Sequence, residues 1–295
     1  PDPALQVDAI TTEQSGHEAV RALLASGARL RPSAWMCATA ANSPGHPTPN
    51  CRRWTAFATS PRSRNGTVSS TTHAELAGGR LPIVLGGDHC LAMGSITAVA
   101  RWCTEQGKKL RVLWLDAHSD FNTSEVTPSG NIHGMPVACL CGIGPDALTK
   151  RGGDAPAITP AMVRQIGIRS VDPEEKKLIK DHRVDVYDMR YIDEVGMKRT
   201  VEAALEGMDA DTHLHVSFDV DFLDPSIAPG VGTTVPGGPN YREAQLVMEM
   251  IADTGLMGSL DIVELNPVLD RRNRTAKLTV DLVESLFGKS TLMRE

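Results

Sequence analysis

Lysine is missing from the first 80 residues, which carry eight Arg against five acids, a net charge of +3. The rest of the chain holds 22 bases and 31 acids, net −9, so the overall −6 joins two unlike segments. An acidic balance excludes a general nucleic-acid binder. No apolar run approaches the ~20 residues that cross a bilayer. The opening Pro1-Asp2-Pro3 has no basic n-region or apolar core of a secretory leader. Six cysteines, none in a C-x-x-C pair, exclude a disulfide scaffold and a zinc ribbon. A reducing cytoplasm is therefore the expected location. What is present, 41% hydrophobic and 22% charged residues over 295 positions, suits a soluble protein of one large α/β domain or two small ones, with no need of staples.

Residues 31–72 are rich in Pro, Ser, Thr, Ala and Arg and show neither a 3.6 nor a 2 period. Pro32, Pro44, Pro47, Pro49 and Pro61 interrupt them. A short helix is expected over residues 18–25, and loop or weakly ordered chain over 31–72. From Leu81 the pattern changes. Apolar, β-rich runs at 82–85, 112–115, 164–168, 184–187, 214–218 and 258–264 alternate with helical patterns at 91–106, 173–182, 197–208, 241–253 and 275–287. This alternation predicts an α/β fold: three layers, with a mainly parallel, doubly wound sheet covered by helices on both faces.

In such sheets ligands bind beyond the carboxyl ends of the strands. Four of the runs end in acids or histidines: Gly86-Gly87-Asp88-His89, Asp116-Ala117-His118-Ser119-Asp120, Asp219-Val220-Asp221 and Glu264-Leu265-Asn266-Pro267. In an extended segment Asp116, His118 and Asp120 point one way, as do Asp219 and Asp221. Taken singly, each motif is an ordinary cap or turn. Together they crowd carboxylates and imidazoles into one space, where they repel without a cation. Two divalent metals resolve this. His89, Asp116, His118, Asp120, Asp219 and Asp221, with no thiolate, favour a hard or borderline ion such as Mn²⁺ over structural zinc.

The polar loop 122–134 follows directly. Asn122, Thr127, Ser129 and Asn131 offer neutral donors for a carboxylate or another polar substrate end. His133 is a titratable group near the metals and a candidate proton shuttle. Met135–Cys141 reads as a short buried helix.

G-G-D-H at 86–89, D-A-H-S-D at 116–120, S-G-N-I-H-G at 129–134, S-F-D-V-D-F-L-D-P at 217–225 and D-I-V-E-L-N-P at 261–267 resemble the ureohydrolases, and among them the arginases. The likeness covers roughly residues 74–288 and implies that 74–295 form the ureohydrolase catalytic domain. It implies the arginase fold and a dimanganese site. One Mn²⁺ would be held by His89, Asp116, Asp120 and Asp219, the other by His118, Asp116, Asp219 and Asp221. It implies an L-arginine amidinohydrolase, in which a dimanganese-bound hydroxide attacks the guanidinium carbon to give L-ornithine and urea. Asp120 matches the partner of that hydroxide, His133 the proton shuttle, and Glu264 the carboxylate that pairs with the guanidinium. Asn122, Thr127 and Ser129 match the contacts to the substrate carboxylate, Asp172 the acid that recognises the α-amino group, and Thr233 a residue of the same cleft. Asp172 before Pro173 also reads as a helix N-cap. The family implies trimers or hexamers.

The family's opening strand, Gly-rich loop and G-P-x-x-L-R turn have no counterpart in residues 1–73. The Arg-rich, Lys-free composition there is also what a shifted frame in GC-rich DNA encodes. Residues 1–73 are therefore expected to be an atypical segment, poorly ordered or not native to the family. Two other activities fit the same motifs: a ureohydrolase of agmatinase or guanidinobutyrase type, and a catalytically silent binding protein on the same fold.

Overall fold

Eight consecutive residues, Thr212–Asp219, are buried without exception. Such a strand needs neighbours on both edges and cover on both faces. In the computed structural model, which describes residues 61–150 and 152–292, it is the fifth of six parallel strands. These are β1 (Ile83–Leu85), β2 (Lys109–Leu115), β3 (Val163–Ile168), β4 (Asp185–Asp188), β5 (Thr212–Asp219) and β6 (Met257–Val263). Their order is β1-β6-β5-β2-β3-β4. All six lie within a few residues of the sequence expectation, and the three-layer, doubly wound architecture holds.

The described helices of at least seven residues are α1 (Pro61–Ala77), α2 (Ala92–Gln106), α5 (Pro173–His182), α6 (Met189–Val195), α7 (Met197–Leu205), α8 (Tyr241–Asp253) and α9 (Arg274–Leu286). The short α3 (Pro136–Leu140) and α4 (Asp146–Thr149) follow β2. Alternation along β2 divides the core. Leu113 and Leu115 face a cluster with Val201 of α7, Val247 of α8 and Leu282 of α9; Val112 and Trp114 face Ile96 and Val99 of α2.

The strand ends are level. Leu115, Phe218, Ile262 and Leu85 pair in one row across β2, β5, β6 and β1. Every acidic motif begins one to three residues beyond that row. From β2 the chain winds to β3 and β4 on one side, then returns to place β5 on the other. The gap between β2 and β5 is thus the topological switch point, where an open α/β sheet forms its crevice.

Two expectations need correction. Residues 61–72 are helical, as part of α1, and not loop. Among the described side chains of α1 only Thr72 and Leu76 are buried, so no apolar stripe announced the helix. It is held by packing on α2, with His73 Nε2 2.8 Å from Glu105 Oε2. The helix expected over 197–208 stops at Leu205, where Glu206 turns extended (ψ 139°) and Gly207 follows with a left-handed φ of 77°. The helix expected over 18–25 lies outside the described residues.

Candidate metal and substrate site

Three strand ends use the same local device. Asp88 accepts a hydrogen bond from the Cys90 amide (2.9 Å), Asp116 from His118 (2.7 Å) and Asp219 from Asp221 (2.7 Å). An acid that bonds the amide two residues on turns the backbone sharply. This corrects one expectation: Asp116–Asp120 is not an extended segment. β2 ends at Leu115, and Asp120 has φ 51°, a left-handed conformation. The side chains converge because the chain curls, not because it alternates. The loop is clamped from below by Gln165 of β3, whose amide accepts from Ser119 Oγ and donates to the Ser119 carbonyl, both at 2.6 Å.

The result is a compact anionic cluster. His89 Nδ1 lies 3.0 Å from Asp116 Oδ2, 3.1 Å from Asp219 Oδ2 and 3.4 Å from Asp120 Oδ2. His118 Nδ1 lies 3.0 Å from Asp221 Oδ2 and 3.5 Å from Asp116 Oδ1. Two sets of ligand atoms, His89/Asp116/Asp120 and Asp116/His118/Asp221, each fit within 4.8 Å and share Asp116. All of these residues except the half-buried His118 are buried.

The electrostatics favour a cation. Burial, with Asp116 beside it, drives Asp120 well above the carboxylate range; burial and Asp221 do the same to Asp219. Burial raises Glu264 to about 7, with Asp88 adding to it. Burial disfavours imidazolium at His118, yet Asp116 and Asp221 outweigh it and lift the ring to about 12. His89 rises to about 9 against its own burial, chiefly through Asp116. Protons are being recruited where positive charge is needed. Geometry agrees. His89 Nδ1 and Asp116 Oδ2 are 3.0 Å apart, but neither makes a directed hydrogen bond. Buried atoms left this way are poised to share a third partner. A His and carboxylate donor set with unsatisfied inward atoms fits a divalent cation.

Neighbouring groups fix the ligands. His89 Nε2 is 2.9 Å from Ser217 Oγ, and the ring stacks on Trp114 at 3.9 Å. The His89 amide donates to Glu264 Oε1 (2.8 Å), while Glu264 itself has φ 64°. Thr233 Oγ1 donates to Asp221 Oδ2 (3.0 Å). The Arg169 guanidinium donates to the carbonyls of Gly167, Asp221, Phe222, Leu223 and Val235 and so ties the loop after β5 to the end of β3.

A cleft of about 170 Å³ opens over the cluster. It is lined by His89, His118, Asp120, Asp219, Asp221 and Glu264 and also by Asn122, Thr127, Ser129, His133, Asp172 and Thr233. Asp116 lies beneath, fully buried. Asn131 is not in the lining, and its backbone shapes the loop through Ser129 Oγ and the Gly134 amide. Asp172 forms a capping box with Glu175 at α5, as its place before Pro173 implied, and it also lines the cleft. Asn122 Nδ2 donates to Asp172 Oδ2 (3.0 Å), leaving Asn122 Oδ1 without a partner.

Sequence reasoning missed Ser217, Arg169 and Glu175. Glu175 accepts from the amides of Phe121 (2.9 Å) and Asp172 (3.1 Å) and lines the cleft. Its signal was present in Asp172-Pro173-Glu174-Glu175, where the fourth residue completes a capping box.

A family model described as the Arginase family matches residues 9–288. The arginase of Brucella melitensis biotype 1 is 53% identical over 234 residues, covering 77% of this chain and 74% of that one. The native structure of arginase from Bacillus caldovelox superposes with a TM-score of 0.75 at 41% identity, covering 85% of this chain and 82% of that one. A hypothetical agmatinase from Burkholderia thailandensis is more distant, with a TM-score of 0.61 and 25% identity over 78% and 65%.

Proposed function

The chain belongs to the arginase family, and from that premise we propose that it hydrolyses L-arginine to L-ornithine and urea. The observation that carries the proposal is a pair of ligand sets sharing Asp116 within a cleft also lined by Asn122, Thr127, Ser129 and Asp172. A hydrolase for a small guanidino acid needs both. We assign two Mn²⁺ per chain, one to His89, Asp116, Asp120 and Asp219, the other to His118, Asp116, Asp219 and Asp221. Bound there, the cations supply the Lewis acidity that makes water nucleophilic near neutral pH.

The chain's own groups do the rest. Asp120 accepts a hydrogen bond from the attacking water. Glu264, with Oε1 held by the His89 amide, pairs with the guanidinium and turns its carbon toward the nucleophile. Thr233, anchored on Asp221, bounds the same end of the cleft. Overall a C–O bond forms, the C–N bond to the side-chain nitrogen breaks, and that nitrogen gains the two protons that water gives up and leaves as an ammonium group. His133 carries one of these protons from water to the leaving nitrogen.

Asp172 takes the α-ammonium group, while Asn122, Thr127 and Ser129 take the α-carboxylate; Asn131 sets their loop. Agmatine lacks that carboxylate, so these neutral donors favour arginine. The family likeness further supports a trimer or hexamer working in the cytoplasm. Urea release from arginine and agmatine, measured on one Mn²⁺-loaded sample, tests the reading. Arginine turnover is expected to dominate; rapid agmatine turnover without arginine turnover would refute it.

A further inference from the structure

The roles assigned above leave Asp88 unused. It follows β1 and caps the 3-10 turn His89–Leu91, with Oδ1 accepting from the Cys90 amide. Its other oxygen, Oδ2, lies 3.5 Å from His133 Nδ1. The turn that carries His133, Ile132–Gly134, packs against the turn that Asp88 caps. His133 lines the cleft and Asp88 does not. The imidazole therefore stands between a carboxylate and the cavity, with Nδ1 turned to the carboxylate. A carboxylate on one ring nitrogen fixes the tautomer and leaves the other nitrogen for proton transfer.

We propose that Asp88 is a positioning residue that holds His133 in a single tautomer and orientation, with Nε2 presented to the reacting group. The inference rests on the reading of His133 as proton carrier. One other use of the same atoms competes with it, since Asp88, His133 and Glu264 also place ligand atoms within 4.8 Å. Asp88 and His133 are each about 35% exposed, more than any ligand of the main cluster.

Asp88→Asn separates the cases. Asparagine caps as well as aspartate, so the turn before His89 keeps its hydrogen bond while an amide replaces the oxygen facing His133. The expected result is a fall in kcat of about tenfold or more, the lower range for loss of an orienting partner, with KM for arginine and metal content unchanged. On a His133→Asn background the same change should leave kcat within about twofold, because Asp88 acts only through the ring. Wild-type kcat in Asp88→Asn, additive losses in the double variant, or loss of a metal equivalent would each overturn the proposal. If the wild-type protein releases no urea from arginine, the proposed function fails. Crystal structures of the wild type and Asp88→Asn then decide this inference separately: a His133 ring turned from its place supports it, and an unmoved ring overturns it.

Discussion

Replacing Arg169 with methionine asks whether one guanidinium holds the metal-binding loops together. The side chain donates to five backbone carbonyls, and no single neutral residue can reproduce that fork. Burial disfavours its charge, though Asp221 and Asp116 offset part of that. Hydrogen bonds from a charged donor each contribute ~1.5–3 kcal/mol net. Simple addition over five carbonyls overstates the loss, because Arg169 and the Val235 acceptor are only partly buried. Leaving one or two carbonyls unsatisfied gives a destabilisation of about 3 kcal/mol. For a domain of this size that is a fall in Tm of roughly 6–12 °C. Lysine, a point donor without the fork, should recover less than half. Gly238→Ala should act in the same direction, since a Cβ there would lie 2.5 Å from Arg169 Nη2 and 2.8 Å from the Phe222 carbonyl. Differential scanning calorimetry of the metal-loaded proteins reads the shift. A Tm for Arg169→Met within about 2 °C of wild type would show that the loops hold without the guanidinium and refute the reasoning.

Asp219→Ala removes the carboxylate assigned to both metals; metal analysis should show the loss of at least one equivalent, and urea release should fall by more than ~100-fold. Full metal content in that variant would contradict the assignment. His213 gives an acid-stability signature remote from the cluster. Burial, with His215 and Lys108 nearby, lowers it to about 4, so the folded chain keeps it neutral while the unfolded chain, near 6.5, binds a proton. No penalty exists above pH 6.5, and about 3 kcal/mol of stability is lost as pH falls toward 4. Denaturant titrations at pH 7 and pH 4.5 should show a smaller drop for His213→Gln than for wild type, and equal drops would exclude His213 as the source.

The legible parts of the fold are those set by local chemistry. The bounds of α5 and α8 were anticipated to the residue because each opens on a capping box, Asp172 with Glu175 and Asn240 with Glu243. The strands were legible because buried parallel strands are nearly continuous apolar runs. α1 was not, since a helix rich in Ser and Thr, with only Thr72 and Leu76 buried among its described side chains, is specified by what it packs on. The half of the sheet facing α2 hides a similar surprise. His213, His215, Ser259, Asp261 and Ser95 form a buried hydrogen-bonded chain where alternation alone suggests apolar packing.

The site was legible in membership but not in construction. Acids placed just past four strand ends had to meet, and the level row from Leu85 to Leu115 makes them meet. How they meet depends on turns that no periodicity encodes, such as the left-handed Asp120 and Glu264. Nor does composition show that recognition groups share atoms. Asn122 commits an amide hydrogen to Asp172, and Glu175 binds the amides of both Phe121 and Asp172. Asn122, assigned to the substrate's carboxylate, and Asp172, assigned to its ammonium, are therefore one hydrogen-bonded unit. A change at Glu175 should loosen both ends of recognition together, because its carboxylate holds the backbone of both loops at Phe121 and Asp172.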